Sequence, residues 1–357
     1  MRIKSLKVKD FRNYSYGVVN FKNGTNVITG PNAMGKTNIL ESIFLFATGK
    51  SHRGAREKEL INYNSENARV EIDFVARGRE NKGEIIISSN KKKQFRLNKI
   101  PILRTSELMG RLNVVMFCPE DLRIIKGAPR ERRREMDLGI CQLRANYFHK
   151  LVEYNKIIEQ RNILLKKEKE ETWVWDEQLA TVGARICWYR RNYLKELELF
   201  AKEHMKNICG EELSIEYINV FDKEEEYIEF FLDLIEKNKD RERRWKQSLV
   251  GPHRDDYIIK INGKEARIFG SQGQIRTAAI AIKLGEVDFI KKEVGEEPIL
   301  LLDDALSELD DARQKYILNK LGNAQVIITC TNAEKFGKMK GVNIIKVEEI
   351  KKECISI

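Results

Sequence analysis

Eight residues near the N-terminus have the types and spacing of a phosphate-binding loop. In order they are Gly30, Pro31, Asn32, Ala33, Met34, Gly35, Lys36 and Thr37, which fit the pattern GxxxxGK[ST]. An apolar strand-like run precedes the loop and an amphipathic helical segment follows it. In such a loop, backbone N–H groups bind phosphate oxygens, the lysine reaches the β- and γ-phosphates, and the threonine hydroxyl ligates Mg²⁺. The sequence therefore predicts a site for a nucleoside triphosphate and Mg²⁺.

Two carboxylates after a second apolar run fit the same chemistry. Asp303 and Asp304 follow PILLL, at the predicted carboxyl end of a buried strand, where open α/β sheets bind their ligands. Asp303 is predicted to hold Mg²⁺ together with Thr37, directly or through water. Asp304 is predicted to polarise the attacking water, so that Asp304 and Lys36 are the predicted catalytic residues. The alternative, an acidic cap on the next helix, stays open for Asp304 because its short side chain has to reach the water.

A third segment has glycine near the start of a predicted helix, which indicates that another group approaches the backbone there. The segment GSQGQIRTAAIAIKL begins at Gly270, and its apolar residues recur at helical spacing. Glycine is unfavourable in a helix, and at a helix start it typically allows another group to approach the backbone. Nothing nearby in the sequence supplies that group.

Strands and helices must position these segments. Before residue 120 the patterns predict one helix, ended by Gly49, and strands at 3–11, 17–21, 26–29, 68–75, 84–88, 94–97 and 112–117. From about 121 to 245 apolar residues recur at three- and four-residue steps. This predicts two antiparallel helices of about 30–35 Å each, joined at KKEKEE, then a strand and a charged helix.

The α/β pattern resumes after Gly251, with strands at 257–261 and in PILLLDD and AQVIITC. The predicted fold class is therefore α/β. One discontinuous domain comprises residues 1–120 and 250–357, and 121–249 form a mostly helical insertion.

Composition excludes several protein classes. The net charge of +11 favours polyanionic partners. No apolar run approaches the roughly 18 residues of a membrane span, and the N-terminus reads as a strand, which predicts a cytoplasmic protein without a membrane partner. Six scattered cysteines without a CxxC pair argue against a disulfide framework and a zinc site.

Five segments together resemble the RecF family of bacterial recombination-repair ATPases, which are ABC-type ATPases of the SMC class. They are DFRNY at 10–14, GPNAMGKTN at 30–38, FCPEDLRIIKGAPRERRREMD at 117–137, SQGQ at 271–274 and LLLDDALSELD at 300–310. Each alone is unspecific, but the set extends over essentially the whole chain. The resemblance implies an ABC-type P-loop ATPase head with an inserted α-helical arm domain. It also implies roles in DNA replication, homologous recombination and the SOS response to DNA damage.

The resemblance implies that SQGQ is the ABC signature motif. In that class two heads meet head-to-tail, and ATP lies between the P-loop of one head and the signature of the other. Ser271 and Gly273 would then contact the nucleotide of a partner copy, while Gln272 and Gln274 line the interface.

Further contacts follow from the same resemblance. SELD resembles the D-loop, whose Ser307 and Asp310 would cross the dimer interface. Arg12 and Asn13 match positions near the nucleotide. Arg53 lies where SMC-like heads have an arginine that faces phosphate or DNA.

Three departures from the wider ABC pattern predict slow hydrolysis. The Q-loop segment FCPEDL has no glutamine, and Glu120 or Asp121 is the expected substitute. The switch histidine is absent, and ITCTN offers Thr329 and Thr331 instead. The base is Asp304 where the class has glutamate. A clamp timed by its nucleotide fits these changes better than a motor.

The predicted DNA contact is a basic run, which comprises Lys126, Arg130, Arg132, Arg133 and Arg134. Arginine-dense runs suit phosphate contacts. The alternative, a solvated helix start with local acidic pairing, stays open. The predicted partners are double-stranded and gapped DNA, a second copy in the presence of ATP, and the mediators RecO and RecR. The resemblance implies that the protein helps RecO and RecR to load RecA.

Three other functions are considered. A nucleotide-binding subunit of an ABC transporter is disfavoured by the large insertion, the missing Q-loop glutamine and the missing switch histidine. A nuclease-coupled ATPase would need a second acidic metal cluster after the ATPase. A structural SMC-like chromosome-organising head would need arms far longer than about 35 Å.

Overall fold

The structure, a computed structural model, describes residues 1–169, 171–218, 223–305, 309–320, 322–333, 336 and 341–350. The chain forms two compact units, one made of residues 1–121 and 286–357 and the other of 122–285. Residues 250–285 thus cluster with the helical segment, whereas the sequence pattern predicts that they belong to the ATPase domain. Their assignment to that domain stays a prediction.

The strands are spread over both units. They are β1 Arg2–Phe11, β2 Tyr14–Asn20, β3 Thr25–Thr29, β4 Asn67–Ala76, β5 Arg79–Ser88, β6 Gln94–Leu97, β7 Ile100–Ile102, β8 Val114–Phe117, β9 Leu213–Tyr217, β10 Tyr257–Ile261, β11 Lys264–Glu265, β12 Ile299–Asp303, β13 Val326–Cys330 and β14 Asn343–Lys346. Short strands at sheet edges, such as β7 and β14, have too few alternating residues for the sequence to indicate them.

The helices alternate with strands in the first unit and dominate the second. They are α1 Lys36–Thr48, α2 Arg123–Lys126, α3 Pro129–Leu143, α4 Ala145–Lys166, α5 Trp173–Cys209, α6 Glu224–Trp245, α7 Ala266–Phe269, α8 Gln272–Val294, α9 Asp311–Lys320 and α10 Val347–Ile350. None of the helices described is long and apolar enough to cross a membrane.

A parallel sheet of order β14-β3-β13-β12-β8 carries the site. All five residues of β12 are buried, as expected of a strand covered on both faces. In the register, Asp303 is paired with Thr329, and Thr329 with Ile28. The carboxyl ends of β3, β12 and β13 therefore meet at one edge. An antiparallel sheet of order β2-β1-β4-β5-β6-β7 completes the strands of this unit.

The second unit contains the helical arm, in which α4 and α5 form a hairpin and α6 packs on α5. Tyr147, Tyr154 and Tyr193 are buried in the core of the arm, and Tyr189 is half-buried. The prediction for the second helix was too short, because α5 has 37 residues, a length of about 55 Å. The helix continues because Ala201 and Met205 on its last turns are buried, and it ends at Gly210 in the left-handed region.

Candidate nucleotide-binding site

Two glycines give the phosphate-binding loop its shape. Gly30 and Gly35 have φ angles of 149° and 96°, which are rare for residues with a side chain. A Cβ on Gly30 would lie 2.4 Å from Cγ1 of Val347, and one on Gly35 would lie 2.5 Å from Oδ1 of Asn13. The motif therefore has glycine where both the backbone and the available space require it.

The loop leads directly into α1, whose first residue is Lys36. The Lys36 ammonium donates hydrogen bonds to the carbonyl oxygens of Gly30 at 2.7 Å and Pro31 at 2.9 Å. Tyr14 Oη donates to the Gly35 carbonyl at 3.2 Å. The positive charge thus lies within the loop, at the N-terminal end of a helix, where the helix dipole also favours an anion.

Asp303 is the centre of a group of oxygens. Its Oδ1 accepts hydrogen bonds from Thr37 Oγ1 at 2.7 Å and Thr329 Oγ1 at 2.8 Å. The Asp303 side chain is largely buried, and Arg53 Nη2 lies 4.0 Å from its Oδ2. Hydroxyl and carboxylate oxygens are the ligands that Mg²⁺ prefers, so Thr37 and Asp303 fit the predicted metal position.

Asp304 adopts a left-handed conformation, with φ of 51°. Its backbone N–H donates to Thr329 Oγ1 at 3.1 Å, so one threonine fixes both aspartates. Asp304 is exposed, whereas the adjacent Asp303 is buried. This arrangement is compatible with a base that acts on water next to the metal position.

These groups line a cavity of about 350 Å³, a volume typical of small-molecule sites. The lining residues are Asn13, Asn32, Ala33, Gly35, Lys36, Thr37, Asn38, Arg53, Asp303, Asp304, Thr329 and Thr331. The structure thus brings the P-loop, both aspartates and the two threonines together. Arg53, predicted to face phosphate or DNA, lines this cavity, and its ligand stays a prediction.

Arg12, predicted near the nucleotide, lines a neighbouring cavity. Its Nε and Nη2 donate to the two carboxylate oxygens of Glu41 at 2.9 and 2.8 Å. Burial raises the pKa of Glu41, but the hydrogen bonds from Arg12 and Ser51 and the attraction to Arg12 outweigh burial and hold it below its ordinary value. Arg12 thus fixes α1 to β1, immediately behind the loop.

Glu41, Ser51 and His52 were missed by sequence reasoning. Ser51 Oγ donates to Glu41 Oε1 at 2.5 Å. Burial lowers the pKa of the neighbouring His52, although the charges of Glu41 and Asp303 oppose the shift. The available signal was Glu41 itself, a charge among the buried residues 39–48 of an apolar helix.

The predicted signature motif forms a complete helix start. Gln274 N–H donates to Ser271 Oγ at 3.2 Å and Ser271 N–H donates to Gln274 Oε1 at 2.8 Å, which is a reciprocal capping box. Gln274 Nε2 also donates to Glu211 Oε1 at 2.6 Å. Ser271, Gln272 and Gly273 are exposed. A Cβ on Gly273 would meet only Ser271 Oγ, at 4.0 Å, so the surroundings of this position within the chain do not require glycine.

The remaining predicted loops have local roles. Ser307 lies outside the described residues. Asp310 accepts a hydrogen bond from the Arg313 N–H at 2.9 Å and so caps α9. Asp121 accepts a hydrogen bond from the Cys118 N–H at 2.8 Å, which fixes its own turn, whereas Glu120 is exposed. Neither Glu120 nor Asp121 lines the cavity described above.

The basic run is not a single surface, because two of its arginines belong to the fold. Arg132 is buried and holds Asp256 through two hydrogen bonds of 2.7 and 2.6 Å. Arg133 Nη1 donates to the Asp255 carbonyl at 2.6 Å. Contacts with the distant residues Asp255 and Asp256 therefore account for Arg132 and Arg133, and the DNA contact predicted for the buried Arg132 is corrected. Lys126 and Arg130 are exposed and Arg134 is half-buried, and their DNA contact stays a prediction.

Comparisons with known proteins decide the family. The model of the RecF/RecN/SMC N terminal domain matches residues 2–356. The DNA replication and repair protein RecF of Clostridium tetani is 44% identical over 370 residues, covering 99% of this chain and 100% of that protein. RecF of Clostridium botulinum (strain ATCC 19397 / Type A) is 43% identical over 348 residues, covering 95% of this chain and 94% of that protein. The chain belongs to the RecF family.

Solved structures support the same fold. A structure of the recombination mediator protein RecF with ATP, from the RecFOR pathway, superposes with a TM-score of 0.89 at 39% identity and covers 93% of this chain and 92% of its own. The Smc head domain with an extended coiled coil from Pyrococcus furiosus has a TM-score of 0.54 at 17% identity, covers 94% of this chain and 91% of its own, and shares the fold alone. The α/β fold class with a RecF-type head is confirmed.

Proposed function

We propose that this RecF-family ATPase dimerises on ATP and clamps DNA at junctions of single and double strands. The nucleotide is held between the P-loop of one copy and the signature start of the other. Slow hydrolysis times release, and the clamp helps RecO and RecR load RecA. The observation that carries the proposal is Gly273, an exposed glycine in a helix start with open space around its Cα. Because nothing in its own surroundings requires glycine, a group from outside the chain is the simplest reason for it.

Each side chain of the cavity has a role in this proposal. Lys36 exchanges its two carbonyl acceptors for phosphate oxygens when ATP binds. Thr37 and Asp303 would hold Mg²⁺, which neutralises phosphate charge when bound. Asp304 orients the attacking water and accepts its proton, with Thr329 fixing the backbone at that point. The related RecF solved with ATP supports the choice of nucleotide.

Dimerisation is tested by sizing the protein with and without ATP. Gly273→Ala adds a methyl group to open space, and alanine is favoured over glycine in a helix by about 1 kcal/mol, so the fold is expected to tolerate the change. We nevertheless expect it to weaken the ATP-dependent dimer at least tenfold. Ser271→Arg should abolish the dimer, whereas Ser271→Thr, which keeps the cap, is the matched control. A Ser271→Arg protein that dimerises with ATP like wild type would disprove the signature assignment.

Slow hydrolysis is tested by steady-state phosphate release. We expect turnover well below about 10 s⁻¹, the median of enzymes generally, because Asp304 is shorter than glutamate. Faster turnover would contradict a nucleotide-timed clamp. DNA binding to duplex, single-stranded and gapped substrates, with ATP, ADP or no nucleotide and across a salt series, tests the clamp itself.

A further inference from the structure

Two tryptophans are exposed at the end of the helical arm. Trp173, the first residue of α5, is 70% exposed, and Trp245, the last residue of α6, is 61% exposed. Tryptophan is highly buried on average, and the chain has four of them. Two large apolar rings in water at the ends of two helices have no evident function in stabilising the arm.

Ion pairs hold the two helix ends together. Arg161 of α4 is buried, and its guanidinium donates to Asp176 at 2.7 Å and Glu242 at 2.6 Å. Asp176 follows Trp173 by three residues, and Glu242 precedes Trp245 by three. Each tryptophan thus lies about one helical turn, some 5 Å along its helix, from an acid bound to the same guanidinium. The ion pair between Lys246 and Glu168, at 2.8 Å, joins the end of α6 to the turn between α4 and α5.

The same region is rich in exposed positive charge. We define the arm tip as residues 166–169, 171–173 and 243–246. Six basic residues lie in it, against two acidic residues at 168 and 171. All six are exposed, and they are Lys166, Lys167, Lys169, Arg243, Arg244 and Lys246.

Exposed aromatic rings among basic side chains are the combination that binds single-stranded nucleic acid. Bases stack on the rings without regard to sequence, and the cations bind the backbone phosphates. Duplex DNA offers the rings no free base face, because its bases are already stacked on one another. We infer that the arm tip binds unpaired bases of a DNA strand, with Trp173 and Trp245 as stacking platforms.

This inference names a second DNA contact, on the arm, in addition to the proposed clamp. The inference rests on the proposed function in one respect only, that the protein binds DNA. It predicts binding of single-stranded DNA that requires neither ATP nor a dimer. The probes are a fluorescein-labelled dT20 strand without nucleotide, and a 20-base-pair duplex with ATP as the separate measure of the clamp.

The test is fluorescence anisotropy on the full-length protein. We expect Trp173→Ala/Trp245→Ala to lose at least tenfold in affinity for dT20 and to keep duplex affinity within about twofold. Trp173→Phe/Trp245→Phe retains a stacking ring and should keep most of the affinity. The control is Leu199→Ala, at an equally exposed apolar side chain on α5, about 39 Å from Trp173. It should behave as wild type.

Salt dependence tests the charges separately. Changing Lys166, Lys167 and Lys169 to glutamine should reduce the slope of log affinity against log salt for dT20 by about 2, at roughly 0.7 per phosphate contact. Wild-type tryptophan fluorescence should be quenched by dT20, a readout that needs no variant to fold.

Three outcomes would overturn the inference. They are unchanged dT20 binding by the double alanine variant, equal loss by the alanine and phenylalanine variants, and absence of quenching in wild type. Loss of ATP-dependent duplex binding in the Ser271→Arg protein, with dT20 binding intact, would show that clamp and arm tip are separate.

Discussion

Replacing Arg12 with methionine removes the counter-charge of a carboxylate that has no access to water. Glu41 is fully buried, and the two hydrogen bonds from Arg12 are lost while the one from Ser51 remains. Breaking a buried ion pair in this way costs about 3–5 kcal/mol. Because Arg12 is 21% exposed, we expect a value near the lower end.

Protonation limits the cost and makes it depend on pH. A buried carboxylate can take up a proton at about 1.36 kcal/mol for each pH unit above its ordinary pKa of 4.5. The loss of stability caused by the unpaired Glu41 is therefore at most about 3.4 kcal/mol at pH 7 and about 0.7 kcal/mol at pH 5. In wild type the pKa of Glu41 is lowered, so its pairing stabilises the protein above pH 4.5 and is lost below. In the variant we expect burial to raise this pKa, so that the difference in the free energy of unfolding grows from pH 5 to pH 7.

The measurement is urea unfolding followed by circular dichroism at both pH values. Adding Glu41→Gln to Arg12→Met removes the charge and should recover most of the loss at pH 7. The control is Arg69→Met, a half-exposed arginine paired with Glu84, for which we expect less than about 1 kcal/mol at either pH. A loss from Arg12→Met that is equal at pH 5 and pH 7 would refute the reasoning, since it would reflect packing instead of charge.

Three further predictions concern the cavity and the arm. Asp303→Asn should keep ATP binding within about threefold but reduce phosphate release about 100-fold; equal loss of both would argue against a metal role. Gly35→Ala should weaken binding of a fluorescent ATP analogue at least tenfold, because its Cβ would lie 2.5 Å from Asn13 Oδ1, whereas Gly78→Ala, with open space, should not. Burial lowers the pKa of His253 to about 4, so the unfolded chain takes up a proton that the fold excludes. Stability should therefore fall by up to about 3 kcal/mol from pH 6.5 to pH 4, and a His253→Asn variant with the same pH dependence would contradict this.

Local patterns predicted the centre of the cavity. Gly30 to Thr37 are contiguous, and a strand before and a helix after are enough to fix the loop. Asp303 lies 266 residues from Thr37, yet each residue follows an apolar run that forms a parallel strand. Because parallel strands of one sheet end at the same edge, the two residues are predicted to lie close together. The trans contacts of Ser271 and Gly273 stay a prediction, because they concern a second copy.

Pairings between distant segments could not be read from the sequence. Arg132 lies in a run of arginines that indicates a surface, but its partner Asp256 is 124 residues away. The bond from Arg12 to Glu41 likewise joins a strand end to the interior of a helix. In both cases the residue type and its neighbours in the sequence predict an exposed charge, but the fold places that charge against a distant acidic residue. Hydrophobic periodicity carries no information about which acidic and basic side chains will pair.

Arg161 also constrains how the arm can vary. Its guanidinium joins α4 to acids on α5 and α6, so loss of any one of the three leaves the others charged and buried or half-buried. Among related chains, Arg161, Asp176 and Glu242 should therefore be kept together or replaced together. The exposed side chains around them are free of this constraint. The exposed residues of the arm tip can thus be substituted one at a time, and the ligand can change with them. The three buried or half-buried ionic residues beneath them can be substituted only together.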